Sequence, residues 1–357
     1  METKINFNAG PAELPPEVLH DAANAVRKYK KMGLSILELP HRSPEFIEII
    51  EESKRLVKEL CGLDDQYEVL WLQGGGRLQF CMIPMNFLSD SQPAGYIDTG
   101  HWSSEAIEYA QYYGEVKVLA SSKKSNYDHI PEWPAKIPAK LAYLHITTNN
   151  TIYGTQWHDV PAAKNLLVAD MSSDILSRTT DYSKYAMFYA AAQKNLGIAG
   201  VALAVIRKDL LSNLARPVPS MLSYQEQAKE NSILNTANVF GIYTSLLMLR
   251  WIKEKGIAAI ERDNRLKAEM LYDAIDNSKV FTPHVKDKNH RSLMNVCFTA
   301  NTPETEKKFL ETCEAKSIIG IKGHRSVGGF RASLYNAISI DSVERLVSVM
   351  KDFERRL

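Results

Sequence analysis

An acid and an amine end two neighbouring apolar runs of this chain. Asp170 closes Leu166-Leu-Val-Ala-Asp, and Lys194 closes Tyr185-Ala-Met-Phe-Tyr-Ala-Ala-Ala-Gln-Lys, 24 positions on (170 to 194). Runs this short, continuous and apolar are those of strands buried on both faces. The carboxyl ends of such strands are where open α/β sheets bind ligands. A lysine held there is costly to keep charged, so its pKa falls from about 10.4. The neutral amine attacks carbonyl carbon and gives a Schiff base. An aspartate beside it that stays ionised suits a protonated pyridine nitrogen. Together they point to pyridoxal 5′-phosphate. Either residue alone is more often a solvated loop position or half of a surface ion pair. A phosphate site, a ring-stacking group and a substrate anchor must therefore be found elsewhere in the chain.

Val69-Leu-Trp-Leu-Gln-Gly-Gly-Gly-Arg-Leu reads as a strand, a glycine turn and a helix start. A helix start presents free N–H groups and a partial positive charge, and glycine lets an oxyanion approach the backbone. Gly76 and Arg77 stand at that point, and Arg77 can add a charge-assisted contact. The pattern is neither GxGxxG nor GxxxxGK[ST], which counts against dinucleotide and P-loop readings. Ala94-Gly-Tyr-Ile-Asp-Thr-Gly-His-Trp ends in Trp102, whose ring can stack on a heteroaromatic ring, although tryptophans at strand ends are more often core. Two His-Arg dipeptides, His41-Arg42 and His324-Arg325, lie in Gly/Pro/Ser-rich segments, with Arg331 just beyond the second. They suit a small ligand carrying both a carboxylate and a dianionic phosphate. Their spacing does not show that they converge.

From about residue 65 to 210, strand-like and helix-like segments alternate, as in a parallel sheet with crossover helices. The periodicity predicts helices over 45–60, 78–88 and 104–113, and strands over 69–72, 96–98, 116–119, 140–146, 166–169, 185–192 and 201–206. Long helical patterns over 240–255 and 257–276 are separated by Gly256, a helix stop. Beyond about 280 come isolated strands (294–298, 330–334) and helices (303–316, 341–355). The fold class read from this is α/β: a large domain with a mainly parallel sheet flanked by helices, plus a smaller C-terminal α+β domain. An irregular N-terminal arm occupies 1–15, the large domain 16–260 and the small domain 261–357.

Composition narrows the function class. The chain has 357 residues, enough for about two domains. Hydrophobic residues at 45% and charged residues at 24% are ordinary for a soluble globular protein. A formal net charge of +1 provides no whole-molecule field for nucleic acid or an anionic membrane, so anionic ligands must be held locally. Cys61, Cys81, Cys297 and Cys313 lack CxxC spacing and read as buried thiols in a reducing compartment, with neither zinc nor a disulfide framework indicated. Met1-Glu-Thr-Lys-Ile-Asn is no signal peptide, and the apolar stretch near 196–206 is far short of a membrane span. A cytoplasmic protein is expected, without repeats or low-complexity segments.

The residues also carry a family resemblance running nearly end to end. It rests on Phe7-Asn-Ala-Gly-Pro-Ala-Glu-Leu-Pro, Pro40-His-Arg-Ser-Pro-Glu-Phe, Gln73-Gly-Gly-Gly-Arg, Thr148-Asn-Asn-Thr-Ile-Tyr-Gly and Ala169-Asp-Met-Ser-Ser. Farther on it rests on Ala192-Gln-Lys-Asn, Leu234-Asn-Thr and Ile321-Lys-Gly-His-Arg-Ser-Val-Gly-Gly-Phe-Arg-Ala-Ser-Leu-Tyr-Asn. The chain resembles the phosphoserine aminotransferases, fold-type I pyridoxal-phosphate enzymes of the class V aminotransferases. The glycine turn and the Asp…Gln-Lys pair alone indicate the wider cofactor class; the Gly-His-Arg…Arg-Ala-Ser-Leu-Tyr-Asn pattern with an early His-Arg is more specific. The resemblance implies a Schiff-base role for Lys194 and a ring-nitrogen role for Asp170. It implies that Gly76, Arg77 and Gln193 bind the cofactor phosphate, that Thr151 contacts the ring hydroxyl side, and that Trp102 stacks. Asn235 and Thr236 would reach the phosphate of a neighbouring subunit, implying a homodimer. Arg331 would hold the substrate α-carboxylate, and His41, Arg42, His324 and Arg325 the substrate phosphate or the glutamate side chain. The implied reaction takes the amino group of L-glutamate to 3-phosphohydroxypyruvate in serine biosynthesis, and extends in many bacterial relatives to a phosphorylated threonine-like oxo acid in pyridoxine biosynthesis. Rival readings are another class V aminotransferase of the alanine–glyoxylate type, a cysteine desulfurase, and a non-catalytic cofactor-binding protein. Asn150 and Leu78 depart from the family pattern, where Glu and a smaller residue are common; altered packing and an unaltered reaction are expected.

Overall fold

The computed structural model describes residues 4–357. Its strands are β1 (Ile5–Asn6), β2 (Tyr67–Leu72), β3 (Ala94–Asp98), β4 (Val116–Ser121), β5 (Leu144–Thr147), β6 (Leu167–Asp170), β7 (Met187–Ala191), β8 (Ala202–Arg207), β9 (Phe281–Pro283), β10 (Asn295–Ala300), β11 (Ile318–Ile319) and β12 (Phe330–Ser333). Its helices are α1 (Pro16–Arg27), α2 (Pro44–Cys61), α3 (Gly75–Phe87), α4 (His101–Ala110), α5 (Lys208–Leu211), α6 (Tyr224–Lys229), α7 (Val239–Lys255), α8 (Ile257–Asp276), α9 (Pro303–Ala315) and α10 (Ile340–Glu354).

Among the described residues, seven strands make one sheet in the order β2-β8-β7-β6-β5-β3-β4. The pairs from β7 through β4 are parallel, while β8 runs antiparallel to both β2 and β7. Successive side chains along a strand point to opposite faces. Val69, Trp71, Ile146 and Ala169 accordingly pack with α1, α2 and α7. Leu70, Leu72, Val168 and Met187 pack with α3, α4 and α6 on the other side. Covering both faces requires apolar residues at every position, which is why these strands read as unbroken apolar runs.

The expected alternation of strand and helix fails in the second half of the sheet. The connections over 148–166 and 171–186 contain no α-helix, only turns and a 3₁₀ turn at Tyr182–Lys184. Asn, Ser, Thr and Asp crowd both segments, and their side chains bond from one segment to the other, as Thr148 to Asp174 and Thr151 to Ser173, in place of a helical ladder. β7 and β8 are joined as a hairpin, with Ala192 N–H donating to Val201 O at 3.0 Å. α3 and α4 also begin earlier than the periodicity indicates, because their opening residues are glycine, polar or site-lining and do not register in an apolar stripe.

Strands β12, β10 and β9 form a three-stranded antiparallel sheet in that order. With α8, α9 and α10 it encloses a second core whose Phe281 and Phe309 rings lie 4.8 Å apart and whose Phe298 and Phe330 rings lie 5.0 Å apart. α8 reaches both cores: Ile260 packs in the first, Ala268 and Leu271 in the second. The stretch read as an irregular arm begins as a strand, β1, parallel to β11, and Phe7 is fully buried in the second core. Among the described residues no helix is long and apolar enough to cross a membrane.

Candidate active site

The carboxyl ends of β5, β6 and β7 lie side by side, and the turns leaving them build the site. β6 ends at Asp170, whose carboxylate is buried and accepts the Ser172 N–H at 2.9 Å. Burial pushes the Asp170 carboxyl up from its ordinary range; hydrogen bonds from Ser172 and the nearby Lys194 ammonium pull it back down. Lys194 sits in the turn after β7, also buried, and its Nζ donates to Thr151 Oγ1 at 2.8 Å and to Ser173 Oγ at 3.3 Å. Its pKa is lowered to about 8, first by burial and then by Arg331, against the opposing pull of Asp170 and Asp174. Near neutrality about a tenth of this amine is thus the free base, the nucleophilic form, far more than for an ordinary lysine.

On the opposite wall, Gly74 caps α3 with φ +83° and Gly75 follows at φ +63°, a left-handed pair that turns the chain from β2 into the helix. The α3 start therefore aims backbone N–H groups at the space in front of Asp170 and Lys194. A Cβ at Gly76 would lie 3.1 Å from Ser172 Oγ, so only glycine lets α3 approach the β6 turn this closely. Between these walls is a cavity of about 260 Å³, lined among others by Gly76, Arg77, Trp102, Asp170, Gln193 and Lys194. Two buried polar atoms on residues of its lining, Thr147 Oγ1 and Trp102 Nε1, have no hydrogen-bond partner. A methyl group at Gly74 would collide with Leu78 and impose left-handed strain. Gly74→Ala should cost about 1–3 kcal/mol, read as a denaturant midpoint. The double variant Gly74→Ala/Leu78→Ala should relieve the contacts with Cγ and Cδ2 of Leu78 but not the 2.8 Å contact with its Cβ nor the strain, and full recovery would contradict this account.

The structure brings together Gly76, Arg77, Trp102, Thr151, Asp170, Gln193, Lys194 and, across the second core, Arg331. The Arg331 Nε is buried without a partner, and its Nη1 donates to Thr151 O at 3.5 Å. The Arg77 guanidinium is engaged by Glu105 at 2.8 Å and lies 5.4 Å from the Trp102 ring, so what Arg77 presents to the cavity freely is its backbone. His324 stands on the 322–329 loop, its ring 5.9 Å from that of His101 and its pKa lowered first by burial and then by Arg331, His101 and Arg325. Arg325 is exposed beside it.

His41 and Arg42 are not among the cavity's lining residues; they occupy the turn before α2. Asn235 and Thr236 are likewise elsewhere, Asn235 on a separate apolar cavity of about 310 Å³ and Thr236 O accepting from Gln73 Nε2 at 3.1 Å. Asn150 is buried, accepting from Thr99 at 3.2 Å and donating to Thr155 at 3.0 Å, while Leu78 fills the space that Gly74 leaves. Sequence reading missed Ser172, Ser173, Asp174 and Glu105. Asp174 accepts from Thr148 at 2.5 Å and Gln156 at 3.1 Å. A polar cluster directly after an apolar strand was the available signal for the first three; nothing in the α4 pattern marks Glu105.

Comparison with known proteins follows this geometry. A family model described as Aminotransferase class-V matches residues 5–346. A phosphoserine aminotransferase of Bacillus cereus (strain ATCC 14579) is 47% identical over 357 residues, covering 99% of each chain. The solved phosphoserine aminotransferase from Bacillus circulans subsp. alkalophilus is 43% identical, with a TM-score of 0.97 over 100% of this chain and 99% of that one. A pyridoxal-phosphate-bound phosphoserine aminotransferase from Trichomonas vaginalis is 34% identical, with a TM-score of 0.93 over 98% of this chain and 99% of that one.

Proposed function

This chain belongs to the phosphoserine aminotransferases of aminotransferase class V, and from that premise we propose that it transfers the amino group of L-glutamate to 3-phosphohydroxypyruvate, giving O-phospho-L-serine and 2-oxoglutarate. The observation that carries the reading is the buried Lys194 amine, lowered to about 8 and placed between Asp170 and Arg331. The cofactor is pyridoxal 5′-phosphate, and the site fits it: a cavity of about 260 Å³ joins a glycine cradle, an unpartnered Thr147 hydroxyl and Trp102. When bound, this group supplies an aldehyde to the lysine amine and an electron-withdrawing ring that takes up electrons as the substrate Cα–H bond breaks.

The rest is the work of the chain's own groups. The α3 start, through the backbone of Gly76 and Arg77 and with Gln193, would hold the phosphate. Asp170, ionised, would keep a proton on the ring nitrogen. Lys194 Nζ, as the free amine, would carry a proton between the substrate Cα and the cofactor carbon across the nitrogen, on the one face it occupies. Thr151 and Ser173 hold that Nζ in place. Arg331 would bind the α-carboxylate, and His324 with Arg325 the phosphate or the glutamate side chain. His41, Arg42, Asn235 and Thr236 are not among the residues lining this cavity, and the family resemblance would have Asn235 and Thr236 reach the phosphate of a neighbouring copy; the reading includes a homodimer, and an active monomer on sedimentation would refute it.

The closest rival is another class V aminotransferase. Turnover of O-phosphoserine against alanine, each with 2-oxoglutarate, separates the two, and preference for alanine would overturn the assignment. A desulfurase reading needs a reactive thiol. Cys61, Cys81, Cys297 and Cys313 lie in α2, α3, β10 and α9, and burial raises all four, Cys297 and Cys313 to about 12. Competition between 3-phosphohydroxypyruvate and a phosphorylated threonine-like oxo acid decides whether the second pathway is also served.

A further inference from the structure

Two of the sequence motifs end in asparagines that the reaction leaves without a role: Asn195 beside Lys194, and Asn336, five residues after Arg331 (331 to 336). The structure joins them. The Asn336 backbone N–H donates to Asn195 Oδ1 at 3.1 Å, and the Asn336 side chain donates to Leu176 O at 3.0 Å. Leu176 has φ +52°, a conformation that costs a leucine energy and that these contacts help to hold. Asn195 Nδ2 donates to Ile175 O at 3.1 Å, and Asn264 of α8 bridges Asn336 Oδ1 and Ser177 O at 2.9 Å each. All three asparagines are buried.

Three residues along α8, on the same helix face, stands Lys267, only 1% exposed. Its Nζ donates to Leu334 O at 3.1 Å, Tyr335 O at 2.9 Å and Ile338 O at 2.9 Å. Burial lowers the Lys267 pKa to about 7, and in the ammonium form its three donors are matched by these three carbonyls. Segment 334–338 is therefore clamped to α8 at both ends, and it leaves β12 directly after the strand that carries Arg331. By contrast the hydrogen bond that the Arg331 side chain makes to the first core is a long one, to Thr151 O at 3.5 Å.

We propose that Asn195, Asn336 and Lys267 are positioning residues: they fix the strand bearing Arg331 against the turn bearing Lys194, and so set the distance between the carboxylate anchor and the reacting amine. The inference rests on the roles given above to Lys194 and Arg331. It makes the junction between the two cores a built joint, in which α8 supplies the frame and the 334–338 segment the coupling.

The test uses Asn336→Ala and Lys267→Met in the full-length, cofactor-loaded protein, with hydrogen exchange and steady-state kinetics on each. Both variants should lose protection over 334–338 and 175–177 together, leave β5–β7 protected, and lower kcat/KM for glutamate by about tenfold to hundredfold. A third readout is the pH at which the Lys194 amine of the cofactor-free chain becomes half-reactive towards an acylating reagent, about 8 in the wild type. The charged groups facing that amine are Asp170, Arg331 and Asp174. If Arg331 drifts away, the half-point should rise. The proposal fails if 334–338 loosens while kcat/KM and the half-point stay unchanged. It fails equally if protection is lost throughout the fold, or if activity drops with exchange unaltered. Should Asn336→Ala not fold, Asn264→Ala takes its place beside Lys267→Met. Absence of glutamate turnover in the wild type would sink the proposed function instead, leaving exchange and half-point to decide the joint.

Discussion

Lys194→Ala is expected to abolish amino transfer and covalent capture of the cofactor, because among the described residues Lys194 is the amine held by the Thr151 and Ser173 hydroxyls. Borohydride reduction followed by mass measurement reads the capture; amino transfer from glutamate reads the turnover. Retention of either at more than trace level would mean another residue is the nucleophile. The substitution also has a signature without cofactor. The folded Lys194 amine titrates at about 8 and the unfolded one near the ordinary lysine value of 10.5. Between those values the unfolded chain binds more protons than the folded one, so stability rises with pH across the window. Relative to Lys194→Ala, the wild type should gain stability from pH 8 to 10.5 and show no differential slope below it. A flat difference over that window would show that the amine is not desolvated as described.

Asp170→Asn should leave the fold and the Ser172 hydrogen bond intact, since an amide oxygen still accepts, while removing the carboxylate charge at the end of β6. Without an ionised partner, nothing holds a proton on a weakly basic ring nitrogen. The expected result is a kcat lower by about 10²–10³-fold, the scale of losing one preorganised electrostatic contact, with covalent capture by Lys194 preserved. The Lys194 amine should also titrate below about 8, because Asp170 is the largest influence raising it. A kcat within about threefold of wild type would remove Asp170 from the chemistry.

How much of this was legible beforehand depends on what kind of order each part needs. The buried strands were, since a sheet covered on both faces must spell Leu167–Asp170 and Met187–Ala191 as continuous apolar runs. So were the acid and the amine, as polar residues where such runs stop. The glycine turn was visible because glycine adopts the positive φ at 74 and 75 without the cost that a side chain adds. The irregular connections from β5 to β6 and β6 to β7 were not, because Ser172, Ser173 and Asp174 bond to partners supplied by distant segments. The antiparallel course of β8 was hidden for the same reason, as Val201–Ile206 looks alike in either direction. Nor does any local pattern reveal that Lys267 faces three carbonyls some 67 to 71 positions away. The His-Arg pairs were conspicuous as residues, but no spacing says which of them share a pocket, and His41 with Arg42 lies outside the cavity of its own chain.

The β7–β8 hairpin has a consequence for how the amine moves. Its turn is stitched shut at the base by Ala192 N–H to Val201 O at 3.0 Å, and the paired residues beyond it belong to the middle of a seven-stranded sheet. The pedestal of Lys194 is thus as stiff as the sheet itself. Any travel of Nζ during a catalytic cycle falls to the four-carbon stem alone, a pendulum on a fixed pivot. The length of that stem then bounds the arc, whereas an amine carried on a swinging loop would also have to bring its backbone into place.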